Sequence, residues 1–237
     1  MEEKIKRILL DLGADVCGIA GVEKFKSAPK GFRPTDIYPD CKSVVVFARR
    51  LPRGLTHVSP RMIYLNANNL TLAEVDRIGL AACNAIEAAG GIAVPVPCDS
   101  PYESWNGERM EGRGLLSMRH AALLAGIGSM GKNTLIMNKQ LGNMINIGAL
   151  LTNLVLKSDP PAEKLCREGC QICLKSCPQN ALDGVTVDQK LCRQYTYTTT
   201  ARGFDVCNCN RCRTLCPFSL GAEVQPLSLD SNPDVSV

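Results

Sequence analysis

Nine of the chain's 13 cysteines fall between Cys166 and Cys216, and their spacing constrains that stretch more tightly than any other feature of the sequence. One run reads Cys166-x3-Cys170-x2-Cys173-x3-Cys177-Pro178. The other reads Cys192, then Cys207, then Cys209-x2-Cys212-x3-Cys216-Pro217. Both close on C-x2-C-x3-C-P, the spacing with which bacterial two-cluster ferredoxins hold [4Fe-4S] cubanes. Two-residue gaps let one loop set successive thiolates on neighbouring corners of a cubane. The cysteine before the proline starts a new element pointing away, so it ligates the other cluster.

That crossover rule assigns Cys166, Cys170, Cys173 and Cys216 to one [4Fe-4S] cluster, and Cys177, Cys192, Cys209 and Cys212 to a second. Cys207 is left over, either standing in for Cys209 or a bystander. Three residues separate Cys166 from Cys170 where two are usual, which makes Cys166 the loosest of the eight. Structural zinc also uses C-x2-C pairs, but it does not require a repeated third and fourth cysteine with a trailing proline.

The expected compartment agrees. Met1-Glu2-Glu3-Lys4-Ile5 lacks the basic and apolar regions of a secretory signal, and no run approaches 18 apolar residues, so no membrane span is expected. Thirteen cysteines in a protein that is not exported are poor disulfide material, and the odd number leaves one outside any pairing. The expected location is cytoplasmic. Net charge is +4, and two clusters of roughly −2 each would bring the whole near neutral. Aromatic residues are only 5% of the chain, too few to suggest a stacking platform for single-stranded nucleic acid.

The composition changes after Ser158-Asp159-Pro160-Pro161, a plausible hinge because two prolines continue neither a helix nor a central strand. The chain therefore divides into residues 1–159, residues 160–220 with the clusters, and a tail, 221–237. In the first part, Ile5, Ile8, Leu9 and Leu12 have helical spacing ended by Gly13, and a longer helix runs from Leu70 to Ala89. Val16 to Val22, Ser43 to Ala48, Ile92 to Val96, Thr134 to Met137 and Met144 to Leu151 read as strands, with Pro95 marking an end or an edge. A further helix spans Leu115 to Ala125. This mixture predicts an α+β fold. Residues 99–114 make a loop too long for a tight turn, of the kind that is often functional.

Gly126-Ile127-Gly128-Ser129-Met130-Gly131 matches G-x-G-x-x-G, but a dinucleotide fingerprint follows a strand and opens a helix. Here the order is reversed. Asn133 also stands where a P-loop needs Ser or Thr, so a helix-ending glycine turn is the better reading.

Ala125-Gly126-Ile127-Gly128 with Gly131-Lys132-Asn133, the apolar run Ile147 to Thr152, Cys177-Pro178-x-x-Ala181-Leu182 and Leu191-Cys192-Arg193-x-Tyr195 together resemble the epoxyqueuosine reductase family and the related respiratory reductive dehalogenases. The match spans roughly residues 119–217. The resemblance implies a nitroreductase-like α/β domain joined to a small ferredoxin-like two-cluster domain. It also implies a cobalamin cofactor, reduced through the clusters for reductive cleavage of a small-molecule or nucleoside-like substrate. An external electron donor such as ferredoxin or flavodoxin follows from the same resemblance, and a homodimer is compatible with it.

The family's proton-donating Asp falls at Gly112 and its Glu at Met118; only Arg119 is kept. The tRNA-modifying members also carry a C-terminal repeat domain that has no counterpart here, so nucleic acid is not an expected partner. Replacement acids are Asp99, Glu108 and Glu111 in the long loop, with His120 beside Arg119 as another candidate near neutral pH. Arg119, Lys132 and Asn133 are candidates for holding a cofactor. Two alternatives remain: an electron carrier or redox partner without a corrinoid, and a flavin-dependent reductase using FMN.

Overall fold

The structure, a computed structural model, describes residues 1–58 and 61–222. Its organising element is β2 (Ser43–Arg50), whose Val44-Val45-Val46-Phe47 run is buried on both faces. A strand covered on both sides carries no polar face, which is why it reads as a continuous apolar run. It pairs with β1 (Val16–Gly21) on one side and with β4 (Ile145–Thr152) on the other. β3 (Ala93–Val96) completes the order β1-β2-β4-β3, and every pairing is antiparallel. Pro95 lies opposite Leu150 on an edge strand, where its missing N–H interrupts no second ladder.

Alternation along β2 divides the core in two. Val45 and Phe47 meet α1 (Glu2–Asp11) through Ile5 and Leu9, and α2 (Arg61–Ala88) through Val75, Ile78 and Ile86. Val44 and Val46 face the opposite way, onto Ala121 and Ala122 of α3 (Met118–Leu124) and onto Ile127. Full burial of a Val or Ile side chain is worth roughly 1.5–3 kcal/mol, so this two-sided strand anchors the α+β body. Gly148 in β4 admits the close approach of α2: a Cβ there would stand 2.5 Å from Val75 and 2.6 Å from Phe47.

Three elements depart from the expected boundaries. α2 begins at Arg61, nine residues before Leu70, although Asn66, Asn68 and Asn69 are weak helix formers. Tertiary contacts override that propensity: Tyr64 is buried with Leu51, Leu55, Met144 and Cys207, and Asn68 accepts a hydrogen bond from Asn146. α3 covers only Met118–Leu124, and the strand expected over Thr134 to Met137 shrinks to Ile136–Met137, paired with Ser129–Met130.

The Ser158–Pro161 stretch is bonded to the α+β body through Ser158 and Asp159. Asp159 pairs with Lys6 at 2.6 Å, accepts from the Ile19 N–H at 2.8 Å, and offers its carbonyl to Lys24 at 2.9 Å. Ser158 accepts from the Gly21 N–H at 2.8 Å. Prolines stop regular structure, but the Ser158 and Asp159 side chains and the Asp159 N–H satisfy free backbone groups of β1.

After this stretch the cysteine segment contains short helices Ile172–Lys175 and Arg211–Thr214, with α4 (Gln189–Thr196) between them. Asp188 caps α4 by accepting from the Leu191 N–H at 3.0 Å. A hairpin of Tyr197–Thr199 and Asp205–Cys207 follows. The segment closes against the α+β body where Asn143 and Met144 both donate to the Ser219 carbonyl, at 3.1 and 3.2 Å. Most of the tail, residues 223–237, lies outside the described residues. Among the described residues no helix is long and apolar enough to cross a membrane.

Candidate functional site

The glycine turn is the joint between the two halves. It follows α3 and leads into the Ser129–Met130 and Ile136–Met137 pair, the reverse of a dinucleotide-binding turn. Gly126 has φ 73, and a Cβ there would stand 2.2 Å from the Pro160 carbonyl oxygen. Only glycine combines that left-handed backbone with so close an approach. Its neighbours reach across the joint. Lys132 donates to the carbonyls of Glu168 and Cys170, the latter at 3.0 Å. Buried Asn133 donates to the Cys212 carbonyl at 2.7 Å. Both side chains thus grip cysteine loops, one in each run. Arg119 donates to Thr134 twice, at 2.9 Å to the carbonyl and 2.6 Å to the hydroxyl. It thereby braces a β-branched residue held at φ 61.

The cysteines gather into two neighbourhoods. Burial first, then the charges of Cys173, Cys166 and Cys170, raise the Cys216 thiol above its ordinary range. Burial raises Cys173 too, with Cys166 and Cys170 as its charged neighbours. The other neighbourhood surrounds Cys212, pushed up to about 11 by burial, with Arg213 opposing and Cys192, Cys209 and Cys177 reinforcing. Thiols that resist joint ionisation need a cationic centre to hold them as thiolates. Among the described residues no three His, Cys, Asp or Glu side chains converge as one metal ion would require. Four ligands of a zinc ion would have to reach within about 2.3 Å of a common centre. The Ala181 N–H already points at the Cys177 sulfur, 3.3 Å away.

Cys207 is buried among Leu51, Leu55, Tyr64 and Met144, and its thiol points to the Cys209 carbonyl at 3.5 Å. Cys41 and Cys83 are buried in the α+β body, with Cys83 pushed up to about 12 by burial.

A cavity of about 710 Å³ opens where α2, the 99–114 loop, the glycine turn and the second cysteine run meet. Cys177, Cys192, Cys209 and Cys212 all border it; Cys166, Cys170, Cys173 and Cys216 do not. Its volume lies in the upper part of the roughly 300–1,000 Å³ range of ligand pockets. Arg119, Asn133 and Asp99 also border it, whereas Lys132, His120, Glu108 and Glu111 do not. His120 is exposed and within 2.8 Å of the Ser117 hydroxyl. Glu108 is exposed, and Glu111 pairs with Arg113 at 2.7 Å. Asp99 is therefore the one acid of the four candidates at the cavity. Burial raises its pKa above the usual carboxylate value, Arg193 pulls it down, and Asp76 adds to the rise.

Arg193 is a site residue that sequence reasoning passed over as a structural element. The long loop folds into a hairpin of Ser104–Asn106 and Glu111–Arg113. Tyr102 and Trp105 stack at 5.9 Å, and the Arg193 guanidinium lies 5.2 Å from each ring and 5.9 Å from Tyr197. It also donates to the Tyr102 hydroxyl at 2.9 Å, while Gln189 accepts from the Gly112 N–H at 3.1 Å. α4 thus carries Cys192 into the second quartet and clasps the hairpin at the cavity rim. An arginine next to a cysteine, with three aromatic residues distant in sequence, was the available signal.

No protein-family model matches the chain. In sequence it is 34% identical over 119 residues to the epoxyqueuosine reductase of Listeria monocytogenes, covering 46% of this chain and 31% of that protein. To the Bacillus cereus epoxyqueuosine reductase it is 27% identical over 215 residues, covering 82% and 52%. The chain spans about a third to a half of the length of these curated relatives. Among solved structures, the catabolic reductive dehalogenase NpRdhA matches with TM-score 0.70 and 20% identity, over 92% of this chain and 32% of that one. A reductive dehalogenase described as B12-dependent matches at TM-score 0.66 and 20% identity, over 89% and 30%. An epoxyqueuosine reductase bound to an epoxyqueuosine-modified tRNA-Tyr stem loop matches at TM-score 0.60 and 20% identity, over 92% and 65%. That neighbour is bound to RNA, which stands against the expectation that nucleic acid is no partner. In sequence the chain is similar to epoxyqueuosine reductases, and in fold to both epoxyqueuosine reductases and reductive dehalogenases.

Proposed function

We propose that this chain is an iron-sulfur oxidoreductase of the epoxyqueuosine reductase type, with cobalamin in the 710 Å³ cavity and two [4Fe-4S] clusters behind it. The observation that carries this reading is that the second cysteine quartet borders the cavity while the first lies away from it. In this reading residues 1–159 form a nitroreductase-like domain and residues 160–220 a ferredoxin-like one. Cys166, Cys170, Cys173 and Cys216 hold the outer cluster, nearer an external donor such as ferredoxin or flavodoxin. Cys177, Cys192, Cys209 and Cys212 hold the inner one.

When bound, the clusters supply single-electron transfer and the corrinoid supplies a strongly reducing metal centre for reductive cleavage. The chain's own residues do the rest. Lys132 and Asn133 fix the two cysteine loops against the glycine turn by their bonds to Cys170 and Cys212. Asp99, at the cavity wall with its pKa raised by desolvation, delivers a proton into the cavity. The clasped hairpin limits the entry of water. The substrate is a nucleoside-like group, and the tRNA-bound neighbour supports a nucleoside presented on RNA.

The deciding measurement is iron, cobalt and flavin per chain on protein purified without oxygen from cells supplied with cobalamin. About eight iron and one cobalt are expected. Eight iron with no cobalt overturns the corrinoid reading. In that case an FMN spectrum points to a flavin-dependent reductase, and the absence of flavin points to an electron carrier.

A further inference from the structure

The wall that the second quartet shares with the cavity holds more positive charge and more free donor capacity than the protein itself satisfies. Arg119 is largely buried, and its hydrogen bonds use one terminal nitrogen, both directed at Thr134. Among the described residues it makes no ion pair with a carboxylate. Arg213 borders the same cavity, donates to the Ile145 carbonyl at 3.3 Å, and likewise lacks a carboxylate partner among the described residues. Two half-buried guanidinium groups placed together are unfavourable unless a negative group stands against them.

Asn210 supplies a second, independent sign. It occupies the cap position of the Arg211–Thr214 helix, yet its side chain makes no capping bond; the backbone carbonyl serves Arg213 and Thr214 instead. The residue is only 9% exposed, borders the cavity, and leaves its amide Nδ2 without a partner. A buried donor left unpaired is uncommon in folded proteins and calls for an acceptor.

The groups this arc faces are sulfurs, which would carry negative charge once a cluster holds them as thiolates. Arg119 lies within the electrostatic reach of Cys192 and Cys212, and Arg213 within that of Cys212 and Cys207. Around the first quartet the charged groups acting on Cys173 and Cys216 are other cysteines. Two cations stand beside that quartet: Lys132 turns its ammonium to the carbonyls of Glu168 and Cys170 in a part-exposed position, and Arg167 is exposed over the Phe218 ring, so water screens both. Arg211 also borders the cavity but is exposed, and is screened in the same way.

We propose that Arg119, Arg213 and Asn210 form an electropositive arc that holds the inner cluster at a higher reduction potential than the outer one. The inference rests on the two-cluster reading given above. A group that gains negative charge on reduction is stabilised by fixed cations and hydrogen-bond donors around its sulfurs. One electron leaves the outer cluster and enters the inner one; no bond is made or broken and no proton moves. The arc gives that transfer its direction, toward the cavity.

The test is an anaerobic redox titration of the iron-loaded protein, followed by electron paramagnetic resonance, with iron counted in every sample. Wild type should show two potentials at least about 59 mV apart, a tenfold bias for a one-electron step. Arg119→Gln should lower the higher potential by a similar amount and leave the lower one in place, and Arg119→Lys should restore most of the difference. Asn210→Ala keeps the backbone cap, so it should shift the same potential in the same direction even if Arg119→Gln loses iron. Unchanged potentials in iron-replete Arg119→Gln and Asn210→Ala would overturn the arc. A wild-type protein without about eight iron would instead overturn the two-cluster reading on which it stands.

Discussion

The side-chain amide of Asn133 donates to the carbonyl of Cys212 at 2.7 Å, joining residues 79 positions apart across the boundary between the glycine turn and the second cysteine run. Asn133 is 3% exposed, and its Oδ1 also accepts from the Leu135 N–H at 3.2 Å. Asn133→Leu should leave the carbonyl without its partner at a cost of about 1–3 kcal/mol. Urea unfolding of the iron-loaded protein measures that loss, and a midpoint unchanged from wild type would show the bond to be dispensable.

Iron content separates ligand cysteines from packed ones. Cys173→Ala should lose roughly half the iron, while Cys83→Ala, within the aliphatic body, should keep all of it. Cys207→Ala should behave as Cys83→Ala does, because that thiol is packed against Leu51, Tyr64 and Met144. Its truncation should lower stability by about 1 kcal/mol or more, as small buried deletions do. Equal iron loss from Cys173→Ala and Cys83→Ala would refute the assignment.

Asp99 ties stability and activity to pH with opposite signs. Its folded pKa is raised, so its contribution to stability is fully present below the ordinary value of 3.8 and is lost as pH rises through the folded value. Near pH 7 the partly desolvated carboxylate is a burden, and Asp99→Asn should leave the protein as stable as wild type or slightly more so. Reductive activity should fall about 10²- to 10⁴-fold, the usual contribution of a positioned acid. Full activity in Asp99→Asn would remove Asp99 from the reaction.

Arg193→Ala should loosen the hairpin from α4. Cation–π contacts contribute about 0.5–1 kcal/mol each at exposed sites, and the three made here are not additive. Trp105 is the only tryptophan in the chain, so its fluorescence reports the clasp directly. A shift in emission with faster proteolysis between residues 99 and 114 is expected. An identical spectrum in Arg193→Ala would show that the stack carries no restraint.

Much of the sheet was legible because its cause is local. The run Val44 to Phe47 has no polar residue and is β-branched at three of four positions, which suits a strand buried on both faces; Pro95 suits a strand end or an edge. The glycine turn was also readable, since the order of helix and strand around Gly126 argues against a dinucleotide site wherever the chain goes next. The first nine residues of α2 were not readable. Three asparagines weaken the local signal, and the stabilising partners Leu51 and Met144 lie far away in sequence. The same holds for Asp159, whose prolines suggested freedom while Lys6 and Ile19, more than a hundred residues earlier, hold it still.

The sequence by itself determined the strands, the helix faces and the two cysteine runs, because periodicity and short spacings act between residues close along the chain. Only the tertiary structure decided which acid stands at the cavity, which cysteine quartet borders it, and which cations face that quartet. Those outcomes depend on long-range contacts such as Asn133 with Cys212 and Arg193 with Tyr102. Their geometry exists only once packing has brought distant segments together and removed the water between them.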